Sequence, residues 1–180
     1  MRMEKIAKAK PFQVILREKD LSEEEYQALA KEVISLCEKY GTTCVLHSFP
    51  KAAHRLNCRK LHMPLPGLLE MTKEERSWFQ VLGASCHSLE DALKARDAGC
   101  TYITLGHIFA TDCKKGLQPR GTGLVKTVAE KINIPVYAIG GICAENSMEV
   151  KQAGAGGICI MSSAMTCPSP EKLFTELIKN

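Results

Sequence analysis

A chain of 180 residues, 45% hydrophobic and 24% charged, can bury one substantial core and is too short for two ordinary ones, so one domain over 1–180 is expected. It contains no apolar run of the ~18 residues that cross a bilayer, and Met1-Arg2-Met3-Glu4-Lys5 lacks the apolar core of a signal peptide, which makes the cytoplasm the expected compartment. The net charge of +4 is dispersed and no basic run exceeds a pair such as Lys114-Lys115, so nucleic acid and membrane are excluded as partners and small anions are not.

The nine cysteines are odd in number and form no CxxC pair, and most sit among apolar residues. They are expected to be packing thiols of a reducing compartment rather than disulfides or zinc ligands.

The first strand is expected at Phe12–Leu16. Ser22-Glu23-Glu24-Glu25 is a capping box, and it opens a helix in which Tyr26, Leu29, Ala30, Val33, Leu36, Cys37 and Tyr40 recur at helical spacing until Gly41. A strand follows at Thr42–Leu46. Pro50–Gly67 is less regular, with a short helix at Lys51–Leu56, a short strand at Lys60–Met63 and prolines 64 and 66 as its end.

From Lys73 the alternation is firmer: a helix to Phe79, strand Val81–Ser85, a helix from Ser88 to Gly99, and strand Tyr102–Leu105. A loop rich in Gly and Lys, Asp112–Gly123, precedes a helix at Leu124–Lys131. Strand Pro135–Ile139, a helix at Asn146–Ala153, strand Gly157–Met161 and a last helix with Ser169 as cap and Pro170 at its first position complete the chain.

Ala98-Gly99 before a strand recurs as Ala153-Gly154, a displacement of 55 residues that fits two βα units. Continuously apolar strands alternating with helices imply a parallel sheet buried on both faces, either an open doubly wound sheet or a (β/α)8 TIM barrel. Polar or glycine residues end nearly every strand, as a barrel with one mouth requires, so the barrel is the expected α/β fold.

The tips supply the candidate site. Gly140-Gly141 and Ser162-Ser163 end the last two strands, where barrels commonly bind phosphate through backbone N–H groups; the plainer alternatives are a tight turn and a helix start. His107 stands directly after a strand, where an imidazole can take and give a proton near neutral pH, or can be a satisfied core residue. Arg17 and Lys19 share one side of an extended segment and could hold a phosphate or carboxylate. His47, His54, His62 and His87 have no metal-ligand spacing, and no tip carries an acidic pair for magnesium, so no metal is expected.

Five segments in this order, "ILREKD" at 15–20, "LGASCHSLEDA" at 82–92, "GHIFATDCKKGLQPRG" at 106–121, "IPVYAIGGI" at 134–142 and "AGAGGICIMSSAM" at 153–165, resemble the thiamine phosphate synthase superfamily of TIM barrels, from about residue 4 onward. The "GHIFATDCKKG" wording is similar to the TenI-type thiazole tautomerases, because the synthases usually have proline where His107 stands. The resemblance implies a cytoplasmic thiamine-biosynthesis isomerase that aromatises a carboxythiazole ethyl phosphate. In it His107 moves the proton, Gly140, Gly141, Ser162 and Ser163 hold the phosphate, and Arg17 or Lys19 meets the carboxylate. Its partner is a small phosphorylated thiazole, and no cofactor is needed.

Two alternatives accompany it: a synthase joining a pyrimidine pyrophosphate to a thiazole phosphate with magnesium, and a non-catalytic phosphate-binding regulatory barrel. The family's phosphate and pyrophosphate positions carry over to Arg17, Lys19, Ser85, Thr111, Lys114, Gly140, Gly141 and Ser162. The synthase pattern of a Gln before the Arg, an Asn-Asp pair after the third strand and an Asp after the fourth meets Ile15, His47-Ser48 and the acid-free stretch Met63–Gly67.

Eight βα units of about 27 residues need roughly 216. The segment 1–10 reads as a piece of the first helix with no strand ahead of it, so seven strands are expected, with two open edges covered by distortion or by a second copy in a homo-oligomer, or left open; the alternative is a polypeptide that starts upstream, with Met1 an internal methionine.

Overall fold

The computed structural model describes residues 2–179 as seven parallel strands alternating with helices. In chain order these are α1 (Arg2–Lys8), β1 (Gln13–Leu16), α2 (Glu23–Tyr40), β2 (Thr43–His47), α3 (Pro50–Arg55), β3 (Lys60–Pro64), α4 (Leu65–Glu70), α5 (Lys73–Ser77), β4 (Val81–Cys86), α6 (Leu89–Asp97) and β5 (Tyr102–Gly106). A 3-10 turn at Asp112–Lys114 precedes α7 (Gly121–Lys131), β6 (Val136–Ile139), α8 (Ser147–Gln152), β7 (Gly157–Cys159), α9 (Ser162–Thr166) and α10 (Pro170–Lys179).

The strands pair in chain order from β1 to β7 with every pair parallel, which gathers all their C-terminal ends on one side. The eighth position of the barrel is vacant, as the length arithmetic predicts. Inside the seam, the Phe12 ring before β1 lies 6.3 Å from the Tyr137 ring on β6. Outside it, α1 bridges the helix layer by packing on α2 and α10: Arg2 Nε donates to the Ala164 carbonyl at 2.9 Å, and Thr42 Oγ1 donates to the Ala7 carbonyl at 2.9 Å. Phe12 remains 79% exposed, so the seam is bridged rather than sealed.

Strand alternation divides the side chains into two sets. Leu16, Leu46, Leu61, Leu82, Ile103 and Ala138 join the apolar layer beneath the helices. Their neighbours Gln13, His47, His62, Ser85, Tyr102 and Tyr137 alternate with them and take the opposite, inward face, so this barrel has an oily outer core and a polar interior.

The α2 capping box forms, Ser22 Oγ accepting from Glu25 N and Glu25 Oε2 accepting from Ser22 N, and Gly41 at φ 71 closes the helix. Three local expectations need correction. Pro64 and Pro66 start α4 rather than ending the segment, because a proline at the N-terminus of a helix gives up an N–H that has no intrahelical partner. α7 begins at Gly121, three residues before the apolar stripe. β7 stops at Cys159. Ser162-Ser163 then opens α9. Cys37, Cys44, Cys86 and Cys100 pack in the core, while Cys113 and Cys143 are exposed.

Candidate functional site

The mouth is built from backbone upward. Tyr26, fully buried on α2 and stacked on Phe49 at 4.1 Å, donates its hydroxyl to the Leu16 carbonyl at 2.7 Å and accepts the His47 N–H at 2.8 Å. One phenol therefore ties the tips of β1 and β2 together and sets where Arg17 and Lys19 emerge.

Below the tips, parallel register brings residues distant in sequence side by side. His47 pairs with His62 and His62 with Gly83, which in turn faces Tyr102. A Cβ at Gly83 would sit 2.2 Å from Tyr102 Cζ. The bare backbone there lets the phenol lie across β4 and reach His62 Nδ1 at 2.9 Å. His62 Nε2 meets Ser85 Oγ at 2.9 Å and Thr104 Oγ1 at 3.4 Å. His47 stacks on His62 at 5.6 Å and meets Ser48 Oγ through Nδ1 at 2.7 Å.

Burial disfavours the charged form of both imidazoles. It pulls His47 down to about 4, helped by the nearby Arg17 and Lys19, and His62 to about 3, helped by His47. Both are neutral hydrogen-bonding groups at pH 7. Arg17 and Lys19 directly follow the C-terminal end of β1, and both are exposed.

On the far side, the segment after β5 is locked to the end of β6. Ile108 N donates to the Ile139 carbonyl and Phe109 N to the Gly140 carbonyl, each at 3.0 Å. Gly140 and Gly141 have φ of 100 and 67, and a Cβ at Gly140 would fall 2.4 Å from His107 Cβ. The two glycines thus serve close packing of the β5 loop, and Asn146 closes their turn by accepting from Cys143 N and donating to the Gly141 carbonyl, both at 2.9 Å. His107 is buried, and its Nε2 donates to the Leu117 carbonyl at 3.3 Å, pinning the loop that carries Thr111 and Lys114. Cys113 Sγ on that loop lies 3.5 Å from Ser162 Oγ.

A family model described as thiamine monophosphate synthase matches residues 1–164. The chain belongs to the thiamine monophosphate synthase family. It is similar to a protein from Aquifex aeolicus (strain VF5) provisionally named thiamine-phosphate synthase 2, 38% identical over 89% of this chain and 86% of that protein. It is also similar to the thiamine-phosphate synthase of Clostridium tetani (strain Massachusetts / E88), 30% identical over 91% of this chain and 79% of its relative. The thiamine phosphate pyrophosphorylase from Pyrococcus furiosus superposes with a TM-score of 0.85 at 26% identity, covering 99% of this chain and 86% of that one.

These relatives overturn the tautomerase expectation. The two sequence relatives carry the name of the synthase, a transferase, the Pyrococcus furiosus protein that of a pyrophosphorylase, and none of these names is that of an isomerase. The wording around His107 misled because it is local, whereas the likeness to synthases runs the length of the chain. In this structure that histidine is tied to the Leu117 carbonyl.

Membership of the thiamine monophosphate synthase family implies magnesium, which asks for oxygen ligands, chiefly carboxylates. The donors at the β2 and β3 tips are the His47 imidazole and the Ser48 hydroxyl, bonded to each other, and α4 starts at once after β3 with Leu65 and Leu68 buried. Among the described residues no three His, Cys, Asp or Glu side chains converge as a metal site. This donor set does not fit magnesium.

Proposed function

We propose that this chain is a thiamine-phosphate-synthase-type transferase, joining a pyrimidine pyrophosphate to a thiazole phosphate at the C-terminal mouth of its open barrel. The observation that carries this is the contact between Cys113 and Ser162, 3.5 Å, which folds the lysine-bearing β5 loop onto the β7 tip in a chain whose relatives are named synthases. That contact sets the loop carrying Thr111 and Lys114 beside the start of α9.

In such a joining reaction the carbon–oxygen bond to pyrophosphate breaks, the thiazole nitrogen forms the new bond to that carbon, and negative charge grows on the leaving pyrophosphate. Stabilising that charge is the main task of the protein. Arg17, Lys19 and Lys114, with the hydroxyls of Ser85 and Thr111, take the pyrophosphate. Gly140, Gly141, Ser162 and Ser163 take the phosphate of the thiazole. His107 keeps the Lys114 loop in place through the Leu117 carbonyl. No step is assigned to a metal, because the β2 and β3 tips carry no carboxylate and no three His, Cys, Asp or Glu side chains among the described residues converge as a metal site.

Two soluble phosphorylated substrates support a cytoplasmic setting. No described helix is long and apolar enough to cross a membrane. Incubating the purified chain with the two phosphorylated halves and measuring thiamine phosphate and released pyrophosphate tests the proposal.

A further inference from the structure

The carbonyl of Gly106, the last residue of β5, lies 2.7 Å from Nδ1 of His87. A carbonyl only accepts, so Nδ1 carries the hydrogen. The β4–β5 register ends at Cys86 paired with Leu105, one residue earlier, because the chain turns into α6 at Ser88. The imidazole supplies the N–H that the departing strand no longer offers. Its backbone is anchored in turn: His87 N donates to Asp91 Oδ2 at 2.8 Å, and Asp91 N donates to the Ser88 hydroxyl at 3.0 Å.

The opposite side of Gly106 is held by backbone. A Cβ there would fall 2.2 Å from the Ile139 carbonyl oxygen, and the following N–H groups bond to Ile139 and Gly140. The strand tip is therefore clamped on the β6 side by main chain and on the β4 side by the His87 ring.

We infer that His87 is a positioning residue, fixing the Gly106–His107 peptide through its Nδ1–H and, through it, the loop that presents Thr111 and Lys114. Its effect on rate rests on the transferase reading above, whereas its effect on the strand tip does not.

The side chains of Asn and Gln separate the two ring nitrogens, since the Asn amide falls near Nδ1 and the Gln amide near Nε2. The test compares His87→Asn, His87→Gln and His87→Ala by amide exchange at Ile108 and Phe109 and by thiamine phosphate formation, with ring 15N spectra of the wild type. Expected are the Nδ1–H tautomer, near-native exchange and rate for His87→Asn, and, for the other two, faster exchange with a kcat loss of about ten- to a hundredfold. Retention of rate by His87→Gln but not His87→Asn would make Nε2 the working atom and overturn the inference. Native exchange in all three variants would overturn it too. If the wild type makes no thiamine phosphate the transferase reading fails, while the tautomer and the exchange order still decide the role of His87.

Discussion

The hydroxyl of Tyr102 on β5 meets Nδ1 of His62 on β3 at 2.9 Å, crossing β4 over the bare backbone of Gly83. Neither side chain could make this bond if position 83 carried a methyl group, because the phenol occupies that space. Gly83→Ala is expected to push the ring aside and cost about 1–3 kcal/mol by overpacking, with loss of the hydrogen bond adding to it. Thermal unfolding of Gly83→Ala against Tyr102→Phe checks this. The glycine variant should be the more damaged of the two.

Acid should loosen the same interior. His47 and His62 have folded pKa values below the unfolded value of about 6.5, so the unfolded chain binds more protons as pH falls. Their contribution is fully present above about pH 6.5 and is lost as pH drops toward 4 for His47 and 3 for His62, on the order of 3 kcal/mol for the former. Urea unfolding between pH 7 and 4 measures it. His47→Asn should flatten the dependence, and an unchanged slope would remove His47 from the account.

Tyr26→Phe deletes one oxygen and strands two buried groups, the His47 N–H and the Leu16 carbonyl. A destabilisation of about 1–3 kcal/mol is expected, together with a weaker grip on the β1 tip. The activity of this variant should therefore fall even at temperatures where it remains fully folded, which a rate measurement beside a melting curve reveals.

Lys114→Ala and Arg17→Ala act at exposed positions and should leave stability unchanged. Each removes a charge-assisted hydrogen bond worth about 1.5–3 kcal/mol, so kcat/KM for thiamine phosphate formation is expected to drop about ten- to a hundredfold. Chelation by EDTA should leave the rate as it is in magnesium. A rate that collapses on chelation would mean that hard-cation ligands exist which His47, Ser48 and the β3 tip do not supply.

The order of strands and helices was legible because local signals agree with the fold: apolar strand runs, the Ser22–Glu25 cap and glycine stops. The vacant eighth strand was legible from length together with segment 1–10, which reads as helix with no apolar strand ahead of it. What escaped was whatever depends on register. His62 meets residues 23, 40 and 42 positions away, and no spacing along the chain announces that Gly83 makes room for Tyr102. His87 looked like one more isolated histidine because its partner is a backbone carbonyl 19 residues on. Gly140-Gly141 was read as a phosphate turn, and the structure adds a second demand on it, the close approach of His107.

The choice between isomerase and transferase lay beyond local wording. The histidine in 106–121, together with Ile15, His47-Ser48 and the acid-free stretch Met63–Gly67 at positions of the synthase pattern, favoured the isomerase from sequence. The likeness to synthases covers 91% of the chain for Clostridium tetani and 99% for Pyrococcus furiosus, while the histidine's imidazole is accounted for by a loop contact.

The most direct test of the central claim is end-point formation of thiamine phosphate by the purified chain at high concentration from the pyrimidine pyrophosphate and the thiazole phosphate, with pyrophosphate measured in parallel. The account predicts both products in equal amounts, abolished by combining Arg17→Ala with Lys114→Ala. Neither product at any enzyme concentration, from protein that is demonstrably folded, would contradict it.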